Sequence, residues 1–195
     1  MNDRLEKQIK FILEIDKLKE IKRQTLIADG SRQENDTEHS WHLAMMCMLL
    51  SEYANKDIDM LRVMKMVLIH DIIEIDAGDT YAYDTIGNET KRQRETKAAD
   101  RLFAILPKDQ EKELRELWDE FEEKQTGESL FANSLDKIQP ILLNNASGGI
   151  SWREHGVHKE QIINRNSRTH EGSEELWNYC LPIIDKNVEK GNIKQ

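Results

Sequence analysis

The run MVLIHDIIEIDAGD, residues 66–79, sets an imidazole and a carboxylate side by side among apolar residues. An ionised carboxylate in such surroundings is costly unless it is paired or coordinated. Asp71 therefore needs a partner. In a continuous helix, residues three and four apart share a face, which puts Glu74 beneath both His70 and Asp71. One nitrogen donor and two carboxylates on such a patch can hold a cation and a water. The plain alternative is a His-Asp pair satisfied by hydrogen bonds in a core, with Glu74 exposed at a helix end.

Three further features bear on that choice. EHSWH places His39 and His42 three apart near the start of an apolar helix, where one of them can equally be a core histidine. Asp136, in ANSLDKIQPILLNNA, is another carboxylate among apolar positions, with Pro140 four residues on. A proline there cannot donate to the carbonyl of Asp136 and is expected to kink the helix, aiming Asp136 into a cavity. A simple bend with Asp136 paired to Lys137 accounts for the same residues. Asp79 follows Gly78 at the mouth of a polar loop where substrate can enter; by itself it is an ordinary turn residue.

Helices must position these groups. Apolar residues recur at three- and four-residue intervals and only three prolines interrupt them, so an all-α single domain is expected. Leu5, Ile9, Ile12 and Ile15 mark one face of a first helix, and residues 21–35 read as a polar connection. A second helix starts at DTEHSWHLA with Asp36 or Thr37 as its cap. A third, residues 57–75, is apolar around much of its circumference and is expected at the centre of the bundle. After the polar loop 76–89, helices are expected over 89–106, 109–124 and 128–145, then a Gly-rich loop and a last helix over 173–190.

Composition narrows the function. A length of 195 residues suffices for one sizeable core, and 38% hydrophobic with 33% charged residues fits a globular chain. A net charge of -9 argues against binding DNA or RNA, whose affinity comes from cations replacing counterions. A small anionic substrate stays open where a metal or local cation reverses the field. The longest apolar run, residues 43–50, is too short to span a bilayer, and the first ten residues lack the apolar core of a signal peptide, so a cytoplasmic protein without membrane attachment is expected. Cys47 and Cys180 have no Cys-x-x-Cys spacing and read as core thiols.

In their order and spacing, EHS, HDIIEIDAGD and LDK resemble the HD-domain metal-dependent phosphohydrolases, in the branch that includes bacterial 5′-deoxynucleotidases. The resemblance runs from about Leu13 to Asn187, and ENDTEHSWHLA and SGGISWREHG are similar to segments of HD hydrolases of this branch. It implies an HD-domain helical bundle in which His39, His70, Asp71 and Asp136 bind one divalent metal. Two imidazoles and two carboxylates suit Mn, Co, Fe, Ni, Zn or Mg without choosing among them. No histidine lies between Asp71 and Asp136, so a mononuclear site is expected; His155, His158 and His170 are expected on a surface or loop.

The resemblance also places Glu74 and Asp79 in proton transfer or leaving-group contacts. Arg23 matches a phosphate-binding arginine, and a guanidinium can clamp two phosphate oxygens. Gln24 departs from the family, which has a tryptophan closing the space beside the 2′ carbon of the sugar; glutamine offers hydrogen bonds instead. The expected substrate is a nucleoside 5′-monophosphate or similar phosphomonoester, and a homodimer is implied. Two other readings compete. One is an HD hydrolase of another organophosphate or a nucleotide polyphosphate, with Arg92, Arg94 and Lys97 on the longer tail. The other is a non-catalytic nucleotide-binding helical domain that keeps its metal for stability. Trp152, after Gly148-Gly149, is the tryptophan to watch as a binding platform.

Overall fold

The computed structural model describes residues 2–80 and 85–195, and the side chains of all of these but 85–88. Part of the expected polar loop, residues 81–84, lies outside the described residues. Helix α1 spans Asp3–Ile15, α2 Asp36–Leu50, α3 Met60–Ile69, α4 Glu74–Ala77, α5 Thr85–Phe103, α6 Lys108–Glu123 and α7 Gly127–Ala146. The short helices α8 (Ile150–Glu154), α9 (Lys159–Arg165) and α10 (Thr169–Gly172) lead to α11, Glu174–Glu189. The all-α expectation holds, with one small addition: strands β1 (Lys22–Leu26) and β2 (Gln33–Asn35) pair antiparallel where a plain polar connection was expected.

The central helix is α7, not α3. It packs against α2, α3, α6, α10 and α11, and buries Phe131, Leu135 and Ile138 almost completely. Its start is fixed by reciprocal hydrogen bonds between Thr126 and Ser129, which satisfy helix-end N–H groups. Pro140 sits inside this helix, which carries on to Ala146. Where α10 crosses α7, Gly172 leaves no room for a side chain: a Cβ there would lie 2.2 Å from the Leu130 carbonyl oxygen. Gly172→Ala is expected to destabilise the protein by about 2 kcal/mol or more, since backbone cannot yield as a flexible side chain would. A thermal melt unchanged from wild type would refute this close approach.

The first helix forms as expected, but of its apolar face only Ile15 packs against the core while Leu5, Ile9 and Ile12 are exposed; α1 is held by buried Phe11 and by polar contacts to α6, among them Gln8 Nε2 donating to Gln110 Oε1 at 2.8 Å. Two expectations about elements are corrected. The cap of α2 is Asn35, one residue earlier than expected; its side chain accepts from the Glu38 N–H, and Glu38 accepts from the Asn35 N–H. The third helix does not run through to Ile75. It ends at Ile69, turns through residues 70–73 and resumes as the single turn α4. Cys47 and Cys180 are free and buried, as expected, and burial lifts their thiols to about 11 and about 12. No described helix is long and apolar enough to cross a membrane.

Candidate metal centre

Each element end delivers one part of the site. The Asn35–Glu38 cap starts α2 so that Asp36 and His39, three apart, share its buried face, and both are completely inaccessible. The end of α3 presents His70, whose Nδ1 lies 2.9 Å from the Val67 carbonyl oxygen. A carbonyl only accepts, so the proton sits on Nδ1 and the Nε2 lone pair is turned the other way. Asp136 comes from the middle of α7.

His39 Nε2 and Asp136 Oδ1 are 3.2 Å apart, His70 Nε2 and Asp71 Oδ1 3.1 Å, His70 Nε2 and Asp136 Oδ1 3.8 Å, and His39 Nε2 and Asp71 Oδ2 3.9 Å. Ligands about 2.1 Å from one cation stand about 3 to 4 Å from each other, so His39, His70 and Asp136 suit a shared ion, with Asp71 beside them presenting one oxygen toward each imidazole. His39 Nδ1 is 3.5 Å from Glu34 Oε2, which favours its proton on that nitrogen and leaves Nε2 toward the same space.

Charge balance points the same way. Glu34, Asp36, Asp71, Glu74 and Asp136 are all buried, against a single buried arginine, Arg23, and the partly covered Lys137. Lys91 adds a more distant positive charge toward Glu74 and Asp71. His70 Nε2, Asp36 Oδ2, Glu34 Oε2 and Glu74 Oε2 are buried without a hydrogen-bond partner. Protons are the substitute for a cation here. Burial alone would push the His70 imidazolium down, but Asp71 and Asp136 outweigh it and lift it to about 10. Burial opposes ionisation of Asp136 too, yet Lys137, 2.8 Å away, and the two imidazoles hold its carboxyl well below the usual range. Lys137 itself is pressed down to about 8, chiefly by burial and then by the charge of Arg165.

A second carboxylate group adjoins the first. Asp36, Asp71 and Glu74 bring ligand atoms within 4.8 Å of one another, as do His39, His70 and Asp136. Asp71 faces both groups: Oδ1 meets His70, and Oδ2 accepts from Arg23 Nη1 at 2.9 Å. Glu74 stands beside Asp36, a contact of two carboxyls that favours a proton on one of them. Burial and then the charges of Asp71 and Asp36 raise Glu74 well above its ordinary range; Asp36 is lifted to about 7 by burial and by Asp71.

The sequence-derived residues are thus placed as follows. His39, His70, Asp71 and Asp136 come together, with Glu74 beside Asp71, although the helix break puts it on a separate turn from His70. Asp79, its pKa raised first by burial, lines a cavity of about 70 Å³ with Arg23, Gln24, Thr80, Trp152 and Arg165. Arg23 lies on β1, buried, with Nη1 also 3.2 Å from Asp36 and Nε 3.5 Å from Glu34. Gln24 Oε1 is 3.1 Å from His155 Nε2, and its carbonyl accepts from Ser151 Oγ. His42 is half-buried against Gln139, and His155, His158 and His170 are exposed. Arg92 lies over the Trp118 ring, Arg94 donates to the Ala77 carbonyl and Thr80, and Lys97 is exposed.

Sequence reasoning missed Asp36, Glu34, Gln139 and Arg165. Asp36 had a signal, its i,i+3 relation to His39, but was read as a cap. Glu34 accepts from Gln139 Nε2 at 2.7 Å, a contact 105 residues apart in the chain that leaves no local trace.

The sequence model of the HD domain family matches residues 15–177. The chain belongs to the HD domain family. Its HD doublet is His70-Asp71, at the break after α3. The chain is 32% identical to 5′-deoxynucleotidase HDDC2 of Bos taurus over 136 residues, covering 69% of this HD domain chain and 64% of the relative. The Homo sapiens 5′-deoxynucleotidase HDDC2 is also 32% identical, with 69% and 65% covered. The chain thus spans just under two thirds of the length of these relatives. Among solved structures, the HD domain chain is similar to a "predicted metal-dependent phosphohydrolase" from Magnetospirillum magnetotacticum, with 46% identity, a TM-score of 0.94, and 99% of this chain and 97% of that one covered.

Proposed function

We propose that this protein is a divalent-metal-dependent phosphohydrolase that removes phosphate from a small phosphomonoester, foremost a nucleoside or deoxynucleoside 5′-monophosphate. One observation carries the reading: two imidazole Nε2 atoms and two carboxylates meet within 3.1–3.9 Å in a buried site with surplus negative charge. The names of the relatives and of the similar structure accord with it.

His39, His70, Asp71 and Asp136 would hold the ion. A divalent cation supplies Lewis-acid stabilisation of phosphoryl oxygens and acidifies water. Glu74 holds or shares the proton on the Asp36 contact and is the group suited to protonate the leaving alkoxide. Asp79, in the cavity beside Arg23, is suited to contact the leaving group. Arg23 orders Asp71 and Asp36 through Nη1 and stands at the cavity wall, where it can meet a phosphate oxygen. Gln24 offers an amide toward the sugar, and Trp152 is the aromatic wall of the same cavity.

The test is phosphate release from a panel of nucleotides and sugar phosphates by purified protein loaded with each divalent metal in turn. Release from nucleoside monophosphates is expected; no release from any substrate with any metal would refute the reading. Glu34 gives a further prediction. Glu34→Gln removes the charge behind His39 and Arg23, and is expected to weaken metal binding about tenfold or more while leaving the ligands in place. Metal affinity equal to wild type in a chelator competition would show that Glu34 does not orient the site.

A further inference from the structure

A second cavity of about 120 Å³ lies behind Asp136, lined by Lys124, Ser134, Lys137, Arg165, Ser167 and Arg168 among others, and no described acidic residue lines it. That is unusual in a chain with a net charge of -9. Lys137 is balanced by Asp136 and Arg168 by Glu171, at 2.8 Å and 2.7 Å. Lys124, half-buried and the one non-glycine residue described with positive φ, and Arg165 have no ion pair or side-chain hydrogen bond among the described residues. Every other arginine of the chain has such a partner, from Arg4 on Asp109 to Arg168 on Glu171. Four cations thus line one small space, Lys124 and Lys137 half-buried and Arg165 and Arg168 at its solvent-exposed side. Clustered like charge is unfavourable unless an anion relieves it, and a guanidinium with ammonium groups is the usual recognition chemistry for phosphate.

Arg165 also lines the cavity that holds Arg23, Gln24 and Asp79. There Arg23 is held by Asp36, Asp71 and Glu34, and Arg165 stands on the same wall as Asp79.

We propose that the Lys124–Lys137–Arg165–Arg168 cavity is an anion subsite that takes a phosphate group, with Arg165 shared between it and the adjoining cavity. Its phosphate is either a second phosphoryl group of the substrate or free inorganic phosphate. That a substrate lies next door rests on the phosphohydrolase reading; the anion subsite itself does not.

Calorimetric titration of inorganic phosphate into metal-loaded protein tests it. Wild type is expected to bind two phosphates per chain, and the double variant Lys124→Ala, Arg165→Ala to bind one, with its metal content and melting temperature kept. Arg165→Lys is expected to restore the second site with affinity about tenfold below wild type. One phosphate in wild type, or two retained in the double variant, would overturn the proposal. A nucleoside 3′,5′-bisphosphate separates the sources: binding as one molecule that displaces both phosphates assigns the subsite to the substrate, whereas displacement of only one assigns it to free phosphate. The count is independent of turnover, so absence of hydrolysis would defeat the enzymatic reading and leave this one to stand or fall by itself.

Discussion

His70→Ala is expected to purify without stoichiometric metal and to lose phosphate release at least about a thousandfold, because the ion is asked to supply several kcal/mol of charge stabilisation. His70 offers its Nε2 because Val67 holds its Nδ1 proton, so the substitution deletes a preorganised donor. It also leaves Asp71 and Asp136 facing each other without the group that lies 3.1 Å and 3.8 Å from them. The alanine further opens space beside Phe121, whose ring centroid is 4.9 Å from that of His70. Loss of activity alone could therefore reflect unfolding, and the measurement must separate the two. Elemental analysis gives the metal content, and circular dichroism reports the helices. Chelation should lower the melting temperature of wild type, since an ion bound only to the native state stabilises it by mass action, and should leave His70→Ala unmoved. A folded variant that keeps a full equivalent of metal would remove His70 from the site.

Glu74→Gln is expected to do the opposite: normal metal content, normal fold, and turnover reduced by about a hundredfold to ten-thousandfold. The amide keeps the shape of the side chain and can still donate to Asp36, so the buried contact survives. What it cannot do is release a proton to a departing oxygen. Side-by-side metal analysis, phosphate binding and single-turnover rates decide the matter. Unchanged turnover would strike Glu74 from the mechanism, whereas loss of metal together with turnover would make it a structural support of Asp71. The non-catalytic reading of the chain requires that no metal and no substrate give any turnover for this variant to lose.

Much of the site was readable before any coordinates, for a physical reason. A His or Asp at an apolar position of a helix must find a partner, so His39, the His70-Asp71 doublet and Asp136 draw attention even where a core pair would satisfy each one alone. Their convergence is another matter. The helical extrapolation from Met66 through Ile75 fails at His70: its backbone N–H closes the last turn of α3 on the Met66 carbonyl, and the Val67 carbonyl faces the imidazole Nδ1 at 2.9 Å. Asp36 was hidden by its plausibility as a cap, a role taken by Asn35. Apolar periodicity marks the stripe Leu5, Ile9, Ile12 and Ile15 on α1 but says nothing of which neighbour covers it, and most of it is exposed.

The sequence by itself determined the helical class, the helices from α5 to α7 and α11 to within a few residues, and the buried charged groups that stand among apolar residues, His70, Asp71 and Asp136. Those are local properties, set by periodicity, caps and the cost of burying charge. Only the tertiary structure decided that Arg23 and Glu34 face each other across a hairpin, that Gln139 reaches Glu34 from a distant helix, and that Lys124, Lys137 and Arg165 share a cavity. These depend on how α7 packs against the hairpin and against the segment from α9 to α10. Long-range packing is fixed by the shapes of many side chains at once, and no spacing along one chain segment records it.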